Sequence, residues 1–282
     1  LLDIHSIIGS HSYPFEMFDY LNKTALITGA SSGIGEGFAR ELAKRGMNLI
    51  LAARSTAKLE QLAAELSRQH GIVAHVLTVD LSKPDAAATV ASFVAERALT
   101  VDLLLNNAGF LTFGLFENCD PATEQNEIQV NCAALVALTH AFLPGMLERG
   151  RGGIINVASL AGFQPIPYMA VYAATKAFII SFSVALAEEV RERGVTVVGL
   201  CPGTTTTELF TRAVAENFSV GNPRTVAQVV ATGLRALDKR KSLVVDGFRN
   251  RLLSLGPRLV PRWYAARVAG AMVMPPEDKK KK

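Results

Sequence analysis

The sequence predicts an α/β protein, a parallel sheet covered by helices on both faces. Three observations predict it. Short apolar runs alternate with amphipathic stretches from residue 24 to residue 246. The runs are continuous, as in strands buried on both faces, and not alternating, as in a half-exposed sheet. Glycines punctuate them, Gly29 after the first strand and Gly46 after the first helix.

The elements follow in order. Residues 1–22 have little periodicity, so 1–21 are expected to form an irregular arm. "TALIT" (24–28) is the first strand. "GIGEGFARELAKRG" (33–46) has helical spacing, with Phe38, Leu42 and Arg45 about a turn apart. "NLILAA" (48–53) is the second strand, and Leu59, Leu62 and Leu66 stripe a helix over 56–69. "IVAHVLTVD" (72–80) is the third strand. Helices are expected near 84–98 and 121–149, over 168–192 and over 223–238, with strands at 101–106, 153–158, 195–201 and 242–246. Pro144 should end or kink the long helix near its C-terminus. Right-handed crossovers make this a doubly wound, Rossmann-type domain over 22–248, followed by a basic C-terminal extension, 249–282.

A chain of 282 residues, 49% apolar and 19% charged, supports one large packed domain and excludes general disorder. No run of 18 apolar residues occurs, so no spanning helix is expected. Three cysteines without a C-x-x-C pair fit a reducing compartment. The expected location is cytoplasmic or membrane-associated, and a start at Leu1 leaves an earlier signal or anchor open. The five histidines lack ligand spacing, so no metal site is expected. The net charge of +4 hides an asymmetry, with 12 Lys/Arg against 3 Asp/Glu from Lys239 onward. That tail suits an acidic partner. Nucleic acid is set aside, because no stacking platform or reader motif accompanies the charge.

The first strand runs through "TGASSGIG" (28–35) into a helix. Glycines at 29, 33 and 35 let the chain turn sharply and let a pyrophosphate approach the backbone. The helix N-terminus then offers free N–H groups to the phosphates. An ordinary glycine-rich turn is the competing reading. Residues 48–55 contain no carboxylate to hold a ribose 2′-hydroxyl, and Arg54 stands there instead. A guanidinium grips a 2′-phosphate, which favours NADP(H).

"YAATKAF" (172–178) places Tyr172 and Lys176 four residues apart, on one helical face. A free phenol, with a pKa of about 10, is a poor proton donor at neutral pH. The ammonium is expected to lower that value and make Tyr172 a usable acid or base. Ser159 ends the strand "GIINVAS", where it can bond a substrate oxygen, and "NNAG" (106–109) closes another strand. Asn131 lies mid-helix, an unfavourable place that suggests a polar role.

These residues together, with "PG" at 202–203, resemble the short-chain dehydrogenase/reductase family over roughly residues 22–248. The resemblance implies a role for each. Gly29, Ser31, Ser32, Gly33, Ile34 and Gly35 would line the pyrophosphate, and Arg54 would meet the 2′-phosphate. Asp80 and Leu81 would touch the adenine, while Asn107, Ala108 and Gly109 would flank the adenosine ribose. Tyr172 would be the acid/base. Lys176 would hold the nicotinamide ribose, Ser159 would orient the carbonyl, and Asn131 would hold a water linking Lys176 to solvent. Pro202, Gly203 and Thr207 would contact the nicotinamide end. A homodimer or homotetramer built on the two long helices is implied as well.

The expected activity is NADPH-dependent reduction of a small-molecule carbonyl. The alternatives are an oxidative alcohol or hydroxysteroid dehydrogenase and a non-catalytic dinucleotide sensor. Phe163, Ile166, Leu209 and Phe210 suggest a large apolar substrate, or simply a packed lid. Residues 256–282 combine Tyr264, Val268 and Met272 at four-residue spacing with arginines and "KKKK". They suit either an interfacial helix on anionic lipid or a helix docked on the protein.

Overall fold

The computed structural model describes residues 17–205 and 223–274. Thr207, Leu209, Phe210 and the terminal lysines lie outside the described residues. The chain runs β1 (Thr24–Thr28), α1 (Gly33–Lys44), β2 (Asn48–Ala53), α2 (Thr56–His70), β3 (Ala74–Thr78), α3 (Ala86–Glu96) and β4 (Leu103–Asn106). After β4 come α4 (Pro121–Glu148), β5 (Gly152–Val157), α5 (Ala170–Glu189) and β6 (Val195–Cys201). The chain continues through α6 (Val226–Asp238), β7 (Leu243–Val245), α7 (Phe248–Leu255) and α8 (Arg262–Val273). The seven strands form one parallel sheet in the order β3-β2-β1-β4-β5-β6-β7. The winding direction reverses between β1 and β4, so the ligand crevice opens at the C-terminal ends of those two strands.

Strand residues alternate between the two faces of the sheet. Ile27, Leu49, Leu51 and Leu105 pack with Phe38 and Leu42 of α1 and Leu234 of α6. Leu26, Ile50, Leu104 and Ile154 pack on the opposite face with Val90 of α3 and Leu138 of α4. Each such fully buried side chain stabilises the fold by about 1.5–3 kcal/mol.

Several expectations needed correction. The third strand is shorter than 72–80, because only 74–78 pair with β2. Pro144 does not end α4. It is exposed, and the helix runs one turn further to Glu148 with Met146 fully buried. α4 and α5 are long and apolar enough to span a membrane by length and composition, with mean hydropathies of 1.6 and 1.7. Polar residues break the apolar run in each, Asn131, Thr139 and His140 in α4 and Thr175, Lys176 and Ser183 in α5. Both helices nevertheless pack on the sheet, through Leu138 and Met146 and through Leu186.

The ends of the described chain are tied to the body. Tyr20 donates to Asp238 at 2.6 Å and lies under the Arg45 guanidinium. Helix α8 buries Ala265, Ala269 and Val273, and the last two join Leu111, Ile166, Met169 and Ala173 in one apolar cluster. Gly270 sits so close to Pro167 that a Cβ there would come within 2.9 Å of its ring.

Candidate active site

The turn after β1 is built around Thr28, which is 1% exposed. Its hydroxyl donates to the Leu105 carbonyl at 3.1 Å and accepts from the N–H groups of Asn107 and Ala108, both at 3.0 Å. The Asn107 amide donates back to the Thr28 carbonyl at 2.8 Å. The first loop and the "NNAG" segment are thus locked together at the switch point. Gly29 has φ +65°, and a Cβ there would lie 2.8 Å from Asn107 Nδ2. A Cβ on Gly35 would collide with the Gly29 carbonyl. Gly35 therefore lets α1 approach the loop from behind, while Gly29, Ser31, Ser32, Gly33 and Ile34 face the crevice.

Tyr172 and Lys176 do share one face of α5. The ammonium lies 5.6 Å from the centre of the Tyr172 ring and donates to the Val157 carbonyl at 2.9 Å. Lys176 is 5% exposed. Ser159 follows β5, and its hydroxyl accepts from the Ala161 N–H at 3.1 Å. Asn131 lies in a π-helical turn, Gln129–Ala133, within α4. Such turns often mark functional sites. Its amide donates to the Phe110 carbonyl at 3.0 Å and to Thr175 at 3.1 Å, and it accepts from the Phe110 N–H at 3.1 Å. A Cβ on Gly109 would lie 2.8 Å from Asn131 Oδ1 and 3.5 Å from Lys176 Nζ, so Gly109 leaves the gap between the two side chains open.

The electrostatics correct one expectation. Burial pushes the Tyr172 phenol up to about 12, and the carboxyl of Glu127 adds to the rise, against the neighbouring Ser159 hydroxyl. The expected lowering by Lys176 does not appear; only the Ser159 hydroxyl opposes the rise. Burial also brings Lys176 down to about 8, opposed by Cys132, Glu127 and Cys201. The thiols of Cys132 and Cys201 are pushed up to about 11 and about 12 by burial, so neither is a ready nucleophile.

One cavity of about 1520 Å³ joins these parts. Such a volume exceeds the roughly 300–1,000 Å³ of a usual small-molecule site and has room for a dinucleotide and a second ligand. At one end it is lined by the glycine loop, Arg54, Asp80 and Leu81, and at the centre by Asn107, Ala108 and Gly109. Asp80 accepts from the Ser82 N–H at 3.0 Å, which holds its carboxyl below the usual range with help from Arg54. Ser159, Tyr172, Lys176, Pro202 and Gly203 form the next stretch of wall. Asn131 and Gly35 stand behind the lining and do not face the cavity.

The far end is apolar, with Leu111, Phe113, Phe163, Ile166, Met169, Tyr264, Val268 and Met272. Phe163 and Ile166 were expected at the cleft. Docking on the protein was one of the two readings of the C-terminal helix, and α8 takes it, adding Tyr264, Val268 and Met272 to the wall. Two features escaped the sequence reading. Glu127 is a fully buried carboxyl one turn before Asn131. Beneath the sheet ends, Asn106 donates to Asn156 at 2.9 Å and Asn156 to Ser183 at 3.0 Å, tying β4 and β5 to α5. Asparagines in otherwise apolar strands were the available signal.

Comparison with known proteins agrees with this architecture. Residues 23–217 match the family model described as short chain dehydrogenase. The chain is 35% identical over 198 residues to a very-long-chain 3-oxoacyl-CoA reductase of Bos taurus, covering 67% of this chain and 62% of that protein. It therefore spans about three fifths of that relative's length. A short-chain dehydrogenase from Sphingobium yanoikuyae, solved in complex with NADPH, is 34% identical with a TM-score of 0.76, covering 84% of this chain and 94% of the other. The bulky-bulky ketone specific alcohol dehydrogenase from Comamonas testosteroni is 28% identical with a TM-score of 0.72, covering 87% and 98%. The chain belongs to the short-chain dehydrogenase family.

Proposed function

We propose that this chain is an NADPH-dependent reductase of large, apolar ketones. One observation carries the proposal: a single cavity joins a glycine cradle, an arginine, a Ser–Tyr–Lys set and an apolar chamber. The cradle suits a pyrophosphate because Gly35 lets α1 pack tightly behind the loop and Gly29 takes the positive φ of the turn, so the start of α1 faces the crevice. Arg54 suits a 2′-phosphate, and Asp80 and Leu81 suit an adenine. Thr207, placed at the nicotinamide end by the family resemblance, lies outside the described residues. Bound there, NADPH supplies the hydride.

The chain's own residues do the rest. Ser159 donates a hydrogen bond to the ketone oxygen and holds it beside Tyr172. Tyr172 delivers its phenolic proton to that oxygen as negative charge develops on it. Lys176, held by the Val157 carbonyl, stabilises the phenolate left behind. Asn131 keeps residue 110 and α5 in register around them. Leu111, Ile166, Met169, Val268 and Met272 exclude water and receive the apolar body of the substrate. The named activities of the bovine and Comamonas relatives support a large ketone.

NADPH consumption with a series of ketones of rising chain length tests this reading. Efficiency should rise with apolar length. A binding protein without turnover, or an enzyme favouring short polar ketones, would contradict it. An oxidative dehydrogenase would instead reduce NADP with long-chain secondary alcohols.

A second reading concerns where the enzyme works. Residues 248–268 carry Arg249, Arg251, Arg258, Arg262 and Arg267 and no acidic residue. Among them Phe248, Leu259 and Trp263 are exposed, Leu259 at 84%. Basic and aromatic side chains on one exposed stretch favour contact with an anionic lipid surface. Anionic vesicles should co-sediment the protein, and a Leu259→Glu/Trp263→Glu variant should stay in solution. Equal sedimentation of the two would remove this reading. Exposed Ile128, Phe178 and Val184 on α4 and α5 support a homo-oligomer through those helices.

A further inference from the structure

Glu127 has no part in the chemistry described so far, yet its side chain is fully buried. Its Oε2 accepts from the Thr112 N–H at 3.0 Å and from the Thr112 hydroxyl at 2.7 Å. Its Oε1 is buried with no hydrogen-bond partner among the described residues. Burying a carboxyl is costly unless its charge is used, and an apolar side chain would pack here more cheaply.

Two features give the position a purpose. Glu127 and Asn131 lie four residues apart on α4, and each clips the strap at 110–112. Asn131 takes both backbone groups of Phe110, and Glu127 takes both donors of Thr112. Between the clips sits Leu111, and Phe113 follows, and both line the apolar chamber. The carboxyl also shares its surroundings with the catalytic pair. Lys176 and Tyr172 of α5 feel its charge, as do Cys132 of α4 and Cys119, and Glu124 is its acidic neighbour. Lys176 in turn is faced by Glu127 and Cys132 from α4 and by Cys201 from β6.

We infer that Glu127 is a positioning residue: together with Asn131 it fixes the strap at 110–112 that walls the substrate chamber. The inference rests on the reductase reading. Burial raises the Glu127 carboxyl, while Thr112 and Lys176 draw it back down. In either protonation state its Oε2 remains an acceptor for the two Thr112 donors.

Glu127→Gln and Glu127→Ala test the clip. The glutamine keeps an acceptor for Thr112, so amide exchange at Thr112 should stay slow and KM for long ketones should stay near the wild type. The alanine should speed exchange at Thr112 and raise KM for long ketones about 10-fold through the displaced wall, with KM for short ketones and kcat little changed. A merely structural role would change short and long ketones alike and would not be rescued by the glutamine. Unchanged Thr112 exchange in Glu127→Ala, or equal changes in KM for short and long ketones, overturns the inference. If the wild type itself consumes no NADPH with any ketone, the reductase reading fails, and amide exchange still decides the strap.

Discussion

Replacing Thr28 with valine removes one hydroxyl and keeps the side-chain shape. The structure sets the size of the effect. Ala108 N–H loses its 3.0 Å acceptor in a half-buried turn, and an orphaned donor costs up to about 1–3 kcal/mol when buried. Asn107 N–H keeps a second acceptor, the Leu105 carbonyl at 3.1 Å, so its loss is small. The bond that the hydroxyl donates to Leu105 adds about 0.5–1.5 kcal/mol. The sum is a destabilisation of about 1.5–4.5 kcal/mol, a large share of the roughly 5–15 kcal/mol of a whole domain. Urea unfolding should show a lower midpoint with an unchanged slope. Thr28→Ser, which keeps the hydroxyl, should recover most of the loss. NADPH affinity should fall with stability in the valine protein, because the same hydroxyl joins the glycine loop to residues 107–108. A valine protein within 0.5 kcal/mol of wild type, by the ordinary tolerance of sites without such features, would refute the claim that Thr28 ties the crevice together.

Further outcomes follow from the same geometry. Arg54→Ala should weaken NADPH about 10- to 100-fold and leave NADH nearly unchanged, because only the 2′-phosphate loses a charged hydrogen-bond partner; titration of cofactor fluorescence reads both. Lys176 has a folded value of about 8 against an ordinary 10.5, so between those values the unfolded chain binds the proton that the folded chain has released. Its contribution to stability therefore rises with pH across that window, and unfolding measured from pH 7.5 to 10.5 should show a rise in the wild type that Lys176→Met lacks. Gly270→Val should lift α8 from Pro167, at a cost of about 1–3 kcal/mol, and cut efficiency on long ketones while sparing short ones.

The sheet was readable in the sequence because its strands are apolar on both faces. "TALIT", "NLILAA" and "GIINV" have no other comfortable place in a folded chain. The Tyr172–Lys176 face followed from helical spacing alone. Two features stayed hidden and a third stayed undecided, for physical reasons. The acidity of Tyr172 depends on how deeply α5 is buried, and spacing says nothing about depth. Glu127 reads as one more surface carboxylate in "PATEQNEI" until α4 is docked and the residue turns inward. Helix α8 docks through Ala265, Ala269 and Gly270, small residues with little hydrophobic contrast, while the visible stripe of Tyr264, Val268 and Met272 faces the chamber. Close approach by small residues leaves almost no periodic signal.

The most direct test of the proposed chemistry is Tyr172→Phe, with NADPH binding and NADPH-driven ketone reduction measured on the same preparation. Cofactor binding should persist and turnover should fall by about 10²- to 10⁴-fold, the usual worth of a positioned proton donor. A phenylalanine protein that reduces ketones at the wild-type rate would contradict the role of this phenol.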